Sequence, residues 1–96
     1  MAHQPPDQMA AIEAELQAER AYALGLAGKK VETAMTELAA APFHLEEMLL
    51  DDAGTAVWHY IIMRENLGMY DHAEALDVYK IPGRVLARVG VIRRRP

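Results

Sequence analysis

The sequence predicts an all-α fold: a long helical hairpin with two short C-terminal helices, pairing with a second copy as a dimeric helical bundle. Three observations predict it. Apolar residues recur at three- and four-residue intervals through two long stretches, prolines and glycines fall where those stretches end, and no strand pattern interrupts them.

Each element has its own sequence signature. Residues 1–6, with Pro5 and Pro6, read as an extended lead-in. From about 7 to 41 the chain is dominated by Ala, Glu, Leu, Gln and Lys, all strong helix formers, with Met9, Ile12, Leu16, Ala23, Ala27, Val31, Met35 and Leu38 along one side. Gly25 and Gly28 could divide this stretch, but a continuous helix is expected, with the Ala/Gly cluster offering a smooth patch for a close neighbour. Pro42 suits the first turn of a second helix over 43–67, with Glu46 and Glu47 near its positive end and Gly68 as its stop. Asp71 and Glu74 have the spacing of a capping box, which starts a short helix over 72–79. Pro82 opens another over 82–89, Gly90 ends it, and 91–96 read as a frayed basic tail.

Composition narrows the chemistry. The 96 residues include 52% apolar residues, suited to a single folded domain and too hydrophobic for a disordered chain. There is no cysteine and no serine, which removes disulfides, Cys-ligated zinc and Ser- or Cys-based nucleophiles, and fits a reducing cytoplasm. No apolar run approaches the roughly 20 residues that span a bilayer, and the first residues lack the pattern of a signal peptide, so a soluble chain with no membrane partner is expected. The net charge of −4 is uneven: residues 1–79 hold all 14 acidic residues and four basic ones, while 80–96 hold six basic residues and no acid.

Four groups of residues bear on function. His44, Glu47 and Asp51 share a narrow arc of the second helix and are the nearest approach to a metal site, but the arc lies opposite the apolar face and reads as a solvated surface. Val57, Trp58, His59, Tyr60, Ile61 and Ile62 make the second helix apolar nearly all round, more than a hairpin wetted on one side needs, and so mark a core or subunit seam. His59 reads as a half-buried contact residue rather than a general base. Arg64 stands on the same side, where a guanidinium requires a partner, and an acid from the first helix or a second subunit is expected to supply it. Residues 72–89 resemble a degenerate helix-turn-helix, in which Arg84 and Arg88, with Arg93, Arg94 and Arg95, would meet phosphates. The bland alternative folds that segment over Trp58 and Ile62, burying Tyr70, Tyr79, Ile81, Val85 and Leu86.

The run Ala56-Val57-Trp58-His59-Tyr60-Ile61-Ile62-x-Arg64-Glu65-x-x-Gly68, then Asp71-His72, then Tyr79-x-Ile81-Pro82-x-x-Val85-Leu86-x-Arg88-x-Gly90, together with Ala23-Leu24-Gly25, resembles a family of small uncharacterised bacterial helical proteins over about residues 20–90. The resemblance implies an all-helical domain and a bacterial source, and it brings no activity or catalytic residue with it. The function expected is therefore that of a non-enzymatic interaction or scaffold protein, homodimeric, without a cofactor, acting on an unknown protein partner. Nucleic-acid binding through 72–89 is the alternative, and a small enzyme or metal-binding protein comes third.

Overall fold

A computed structural model describes residues 6–89 of the chain. Its elements are α1 (Pro6–Ala39), a single 3-10 turn (Phe43–Leu45), α2 (Glu46–Asn66), α3 (Ala73–Val78) and α4 (Gly83–Leu86). No strand occurs among the described residues. α1 runs unbroken through Gly25 and Gly28 for 34 residues. Pro42 stays extended, its carbonyl accepting from the Leu45 amide at 2.9 Å, so the chain turns through a 3-10 step before α2 begins.

α2 ends on a Schellman motif. The Met69 amide donates to the Arg64 carbonyl at 3.0 Å and the Gly68 amide to that of Glu65 at 2.9 Å, with Gly68 at φ +80°, where glycine alone has no steric cost. α3 ends on the same motif: Ile81 donates to Leu76 at 3.1 Å and Lys80 to Asp77 at 2.9 Å, but here the left-handed position is held by Lys80, at φ 53°. At its start the N-cap is His72, with no side-chain cap; the Asp71 carboxylate instead accepts from the Ala73 amide at 3.2 Å in a local turn, and Glu74 makes no return bond, so the expected capping box is not formed.

α1 and α2 form an antiparallel hairpin, with Arg20 and Ala23 beside Met63 and Asn66 at its far end. The core is a thin seam of Ala27, Val31 and Leu38 from α1 against Leu50, Ala53, Val57 and Tyr60 from α2, closed by Ala75 of α3 and Val85 of α4. Leu50 and Gly54 belong to the buried strip of α2, so the strip runs through 50, 53, 54, 57 and 60. Small residues make up much of this seam, and the helices can approach closely.

The C-terminal segment covers less than the sequence suggests. Val85 is fully buried and Tyr79 and Ile81 are half-buried, but Tyr70 and Leu86 face solvent. The stretch between α2 and α3 turns outward before α3 crosses Tyr60, and α3 and α4, of six and four residues, are too short to fold over more. α1 meanwhile extends past the end of α2, and every residue from Asp7 to Tyr22 is exposed. The molecule measures 63 × 30 × 21 Å, with a radius of gyration of 17.4 Å. A compact chain of this length would have about 12.5 Å.

A lysine in the left-handed region is held against a steric penalty of about 1 kcal/mol. Lys80→Gly is expected to stabilise the fold by up to about 1 kcal/mol, raising Tm by a few degrees in a thermal melt, whereas Lys80→Val should lower it.

Candidate functional site

The hairpin has two grooves between its helices, and the chain fills one of them itself. Gly54 makes this possible. A Cβ at that position would stand 2.8 Å from Arg88 Cβ and 2.9 Å from the Arg88 carbonyl carbon and oxygen, so the backbone after α4 lies directly on α2. From that seat the Arg88 guanidinium reaches back along α2, donating from Nη1 to Asp51 Oδ1 and from Nη2 to Glu47 Oε2, both at 2.7 Å. Arg84 Nη1 donates to Glu46 Oε1 at 3.1 Å. The hydrogen bonds to Glu47 and Asp51 raise the Arg88 pKa further above its already high ordinary value and keep it charged.

This arrangement changes the meaning of two sequence features. Both carboxylates reach the C-terminal segment, because α4 packs on the side of α2 opposite the free groove; Asp51 is half-buried there, while Glu47 stays largely exposed to water as its place on the arc implies. His44 sits apart in the 3-10 turn, exposed, and no cluster of three or more His, Asp or Glu among the described residues is placed to hold a metal ion. Arg84 and Arg88 do not form a free basic face: acids of α2 hold both, and α4 is a single turn with no length to read a groove of DNA. Arg93, Arg94 and Arg95 lie outside the described residues.

Arg64 finds partners other than the acid of α1 or of a second subunit that its position suggests. Its Nε donates to His72 Nδ1 at 3.1 Å and its Nη2 to the Asp71 carbonyl at 2.7 Å, while its guanidinium carbon stands 6.0 Å from the centre of the Tyr60 ring. His72 Nε2 lies 3.1 Å from Glu65 Oε2. Arg64 Nε can only donate, so Nδ1 accepts and the proton of the neutral ring sits on Nε2, facing Glu65. The outward turn at Gly68 produces this relay, since it swings Asp71 and His72 back over the last turn of α2. In the sequence His72 stands only within the run that resembles the helical family, with no periodicity to mark it as a partner of Arg64, and sequence reasoning missed that role.

Next to the relay, Tyr79 stacks edge-on against Tyr60, ring centres 5.3 Å apart at 87°, and its hydroxyl reaches the bare backbone at Gly28. Burial, reinforced by Tyr60 and by the charge of Glu32, raises the Tyr79 pKa above its usual value near 10. A cleft of about 400 Å³ lies between Tyr60, Arg64, Asp71, Glu74 and Tyr79. Arg64 is engaged with the Asp71 carbonyl there and Tyr79 is packed on Tyr60, while Glu74 stands exposed at the rim, and among the described residues no buried side-chain nitrogen or oxygen lacks a partner. No nucleophile with an adjacent base converges there.

The second groove is open. Ala23, Leu26, Ala27 and Lys30 of α1 face Ala56, His59 and Met63 of α2 across about 370 Å³. In the single chain His59 is exposed on its rim, tilted against Trp58 with ring centres 5.1 Å apart, since no described residue lies over this side. Val57 and Tyr60 are buried in the hairpin, whereas Trp58, Ile61, Ile62 and Arg64 are half-covered. Fold and site together define a helical-hairpin protein with one groove closed by its own C-terminal segment and one left apolar and open.

The chain belongs to a family of unknown function, DUF6665, whose model matches residues 1–96. No curated protein and no solved structure matches it.

Two outcomes follow from the closed groove. Gly54→Ala forces the Arg88 backbone off α2 and should destabilise the fold by about 1–3 kcal/mol in chemical denaturation, even though alanine favours the helix. Tyr79 is the alkaline limit. Its folded pKa is raised, so the associated stability is complete below pH ~10 and is lost as the pH rises toward the folded value, and Tyr79→Phe should flatten that alkaline loss in pH-dependent melts.

Proposed function

We propose that the protein is a non-enzymatic interaction protein that acts as a homo-oligomeric helical bundle, with the open side of its hairpin as the binding surface. The observation that carries this reading is the continuous apolar strip of α1, where Met9, Ile12, Leu16 and Leu26 are each between 43% and 49% exposed and no described segment covers them. A surface of 7048 Å² supports it, since a compact monomer of 10.7 kDa exposes about 5,500 Å² and a standard interface removes about 800 Å² from each partner.

The polar clusters support the same conclusion by their saturation. Arg64, His72 and Glu65 satisfy one another, and so do Arg88, Glu47 and Asp51, which leaves both groups as fasteners of the fold. The lack of cysteine fits a reducing cytoplasm, and the resemblance of the sequence to bacterial helical proteins fits a bacterial source. Among the described residues no helix is long and apolar enough to cross a membrane.

Light scattering at micromolar concentration is expected to report twice the 10.7 kDa chain mass. A monomer under those conditions counts directly against the proposal.

A further inference from the structure

We infer that two copies of the chain pair through their α1 helices in antiparallel register, each copy laying its projecting arm into the open groove of the other. The inference rests on the self-association proposed above and specifies the surface that performs it.

The strip itself is self-complementary. At about 100° per residue, Met9, Ile12, Leu16, Ala23, Ala27 and Lys30 fall within an arc of about 60°, so the arm and the groove present one face of one helix. Its outer half, residues 9–16, lies beyond the end of α2 with no element against it, and its inner half, residues 23–30, forms one wall of the groove. A two-fold axis near residues 20 and 21 sets each outer half on the other copy's inner half. Leu16 then meets Leu26, Ile12 lies along the aliphatic stem of Lys30, and Ala56 and Met63 form the far wall.

Charge selects the direction. The outer half carries Glu13, Glu15 and Glu19, and the inner half carries Lys29 and Lys30. Antiparallel pairing brings Glu15 of each copy within one helical turn of Lys29 of the other, on the same flank of the pair, twice by symmetry. Parallel pairing would set the acidic arms against each other and leave both grooves empty. The acidic arm is likewise a poor match for an anionic lipid surface. The C-terminal segment does not interfere, because α4 occupies the opposite groove at Gly54. A lone helix of the arm's length is marginal in water, and the partner groove supplies the packing it lacks within its own chain.

The absence of cysteine makes the test clean. Glu15→Cys and Lys29→Cys variants of the full chain, made separately, are mixed and treated with a short bismaleimide. The mixed 15–29 product is expected, and the 15–15 product is not, since those positions stand about 17 Å apart along the helices in this register. In sedimentation equilibrium Lys29→Glu should weaken the dimer about tenfold, and adding Glu15→Lys should restore it to within about threefold. Both positions are exposed, and circular dichroism verifies that the variants fold. A 15–15 product, or a wild-type dimer indifferent to both charge reversals, overturns the antiparallel arm exchange while leaving self-association standing. A monomeric wild-type chain overturns both.

Discussion

The missing side chain at Gly54 is the constraint on which the closed half of the molecule depends. Because no Cβ intervenes, the main chain at Arg88 rests on α2. That seat fixes Val85 in the core and places the guanidinium between Glu47 and Asp51, whose four-residue spacing puts both carboxylates on one strip of α2. α3 and α4 are far below the length at which a helix holds itself together in water, so their structure comes from this docking rather than from propensity. Gly28 plays the corresponding part on α1, where the Tyr79 hydroxyl takes the place a Cβ would occupy. Two glycines inside otherwise strong helices, each unfavourable locally by about 1 kcal/mol, become intelligible as the points where the C-terminal segment touches the hairpin.

Much of this fold is legible in the sequence because it rests on local rules. The continuous α1, the stop at Gly68, the turn at Asp71 and the helical turn after Pro82 all follow from propensity, periodicity or backbone sterics acting over a few residues. What resists reading is any feature set by where a short helix lands. The arc of His44, Glu47 and Asp51 has the same spacing whether it faces water, a metal or an arginine, and only the docking of α4 decides for the arginine. Arg64 demands a partner by its position on α2, but the partners, a histidine and a main-chain carbonyl, arrive through a turn whose path no periodicity encodes. Leu50 and Gly54 are similar: the buried strip is rotated slightly from the face that the largest side chains mark, because small residues let the helices approach there.

The uneven charge along the chain also takes on a structural meaning. Within the described residues the acidic body and the start of the basic end meet. Glu46, Glu47 and Asp51 meet Arg84 and Arg88, so within the described residues part of the basic C-terminal segment is neutralised by the body it follows. Exposed pairs of this kind contribute little each, but a forked arginine on two carboxylates is directional, and it fixes the rotation of a segment with few other contacts. Three of the acids that remain unengaged, Glu13, Glu15 and Glu19, lie on the arm, and of the two lysines nearest to them in α1, Lys30 borders the open groove and Lys29 the adjoining face of α1.

The apolar residues of that arm require a reason of their own. Helix formation from residue 6 to the end of α2's reach needs only Ala, Glu, Gln and Arg, which the arm has in abundance, and a polar arm of that composition would serve solubility better. Met9, Ile12 and Leu16 contribute nothing to the hairpin, since α2 has ended before it could meet them. They nevertheless keep the phase of Ala23 and Ala27, residues that line the hairpin, over a further two turns of helix. It is this retained phase on which the proposed pairing rests, and the groove bordered by Leu26, Lys30, Ala56 and Met63 is a surface of matching polarity that no described residue covers.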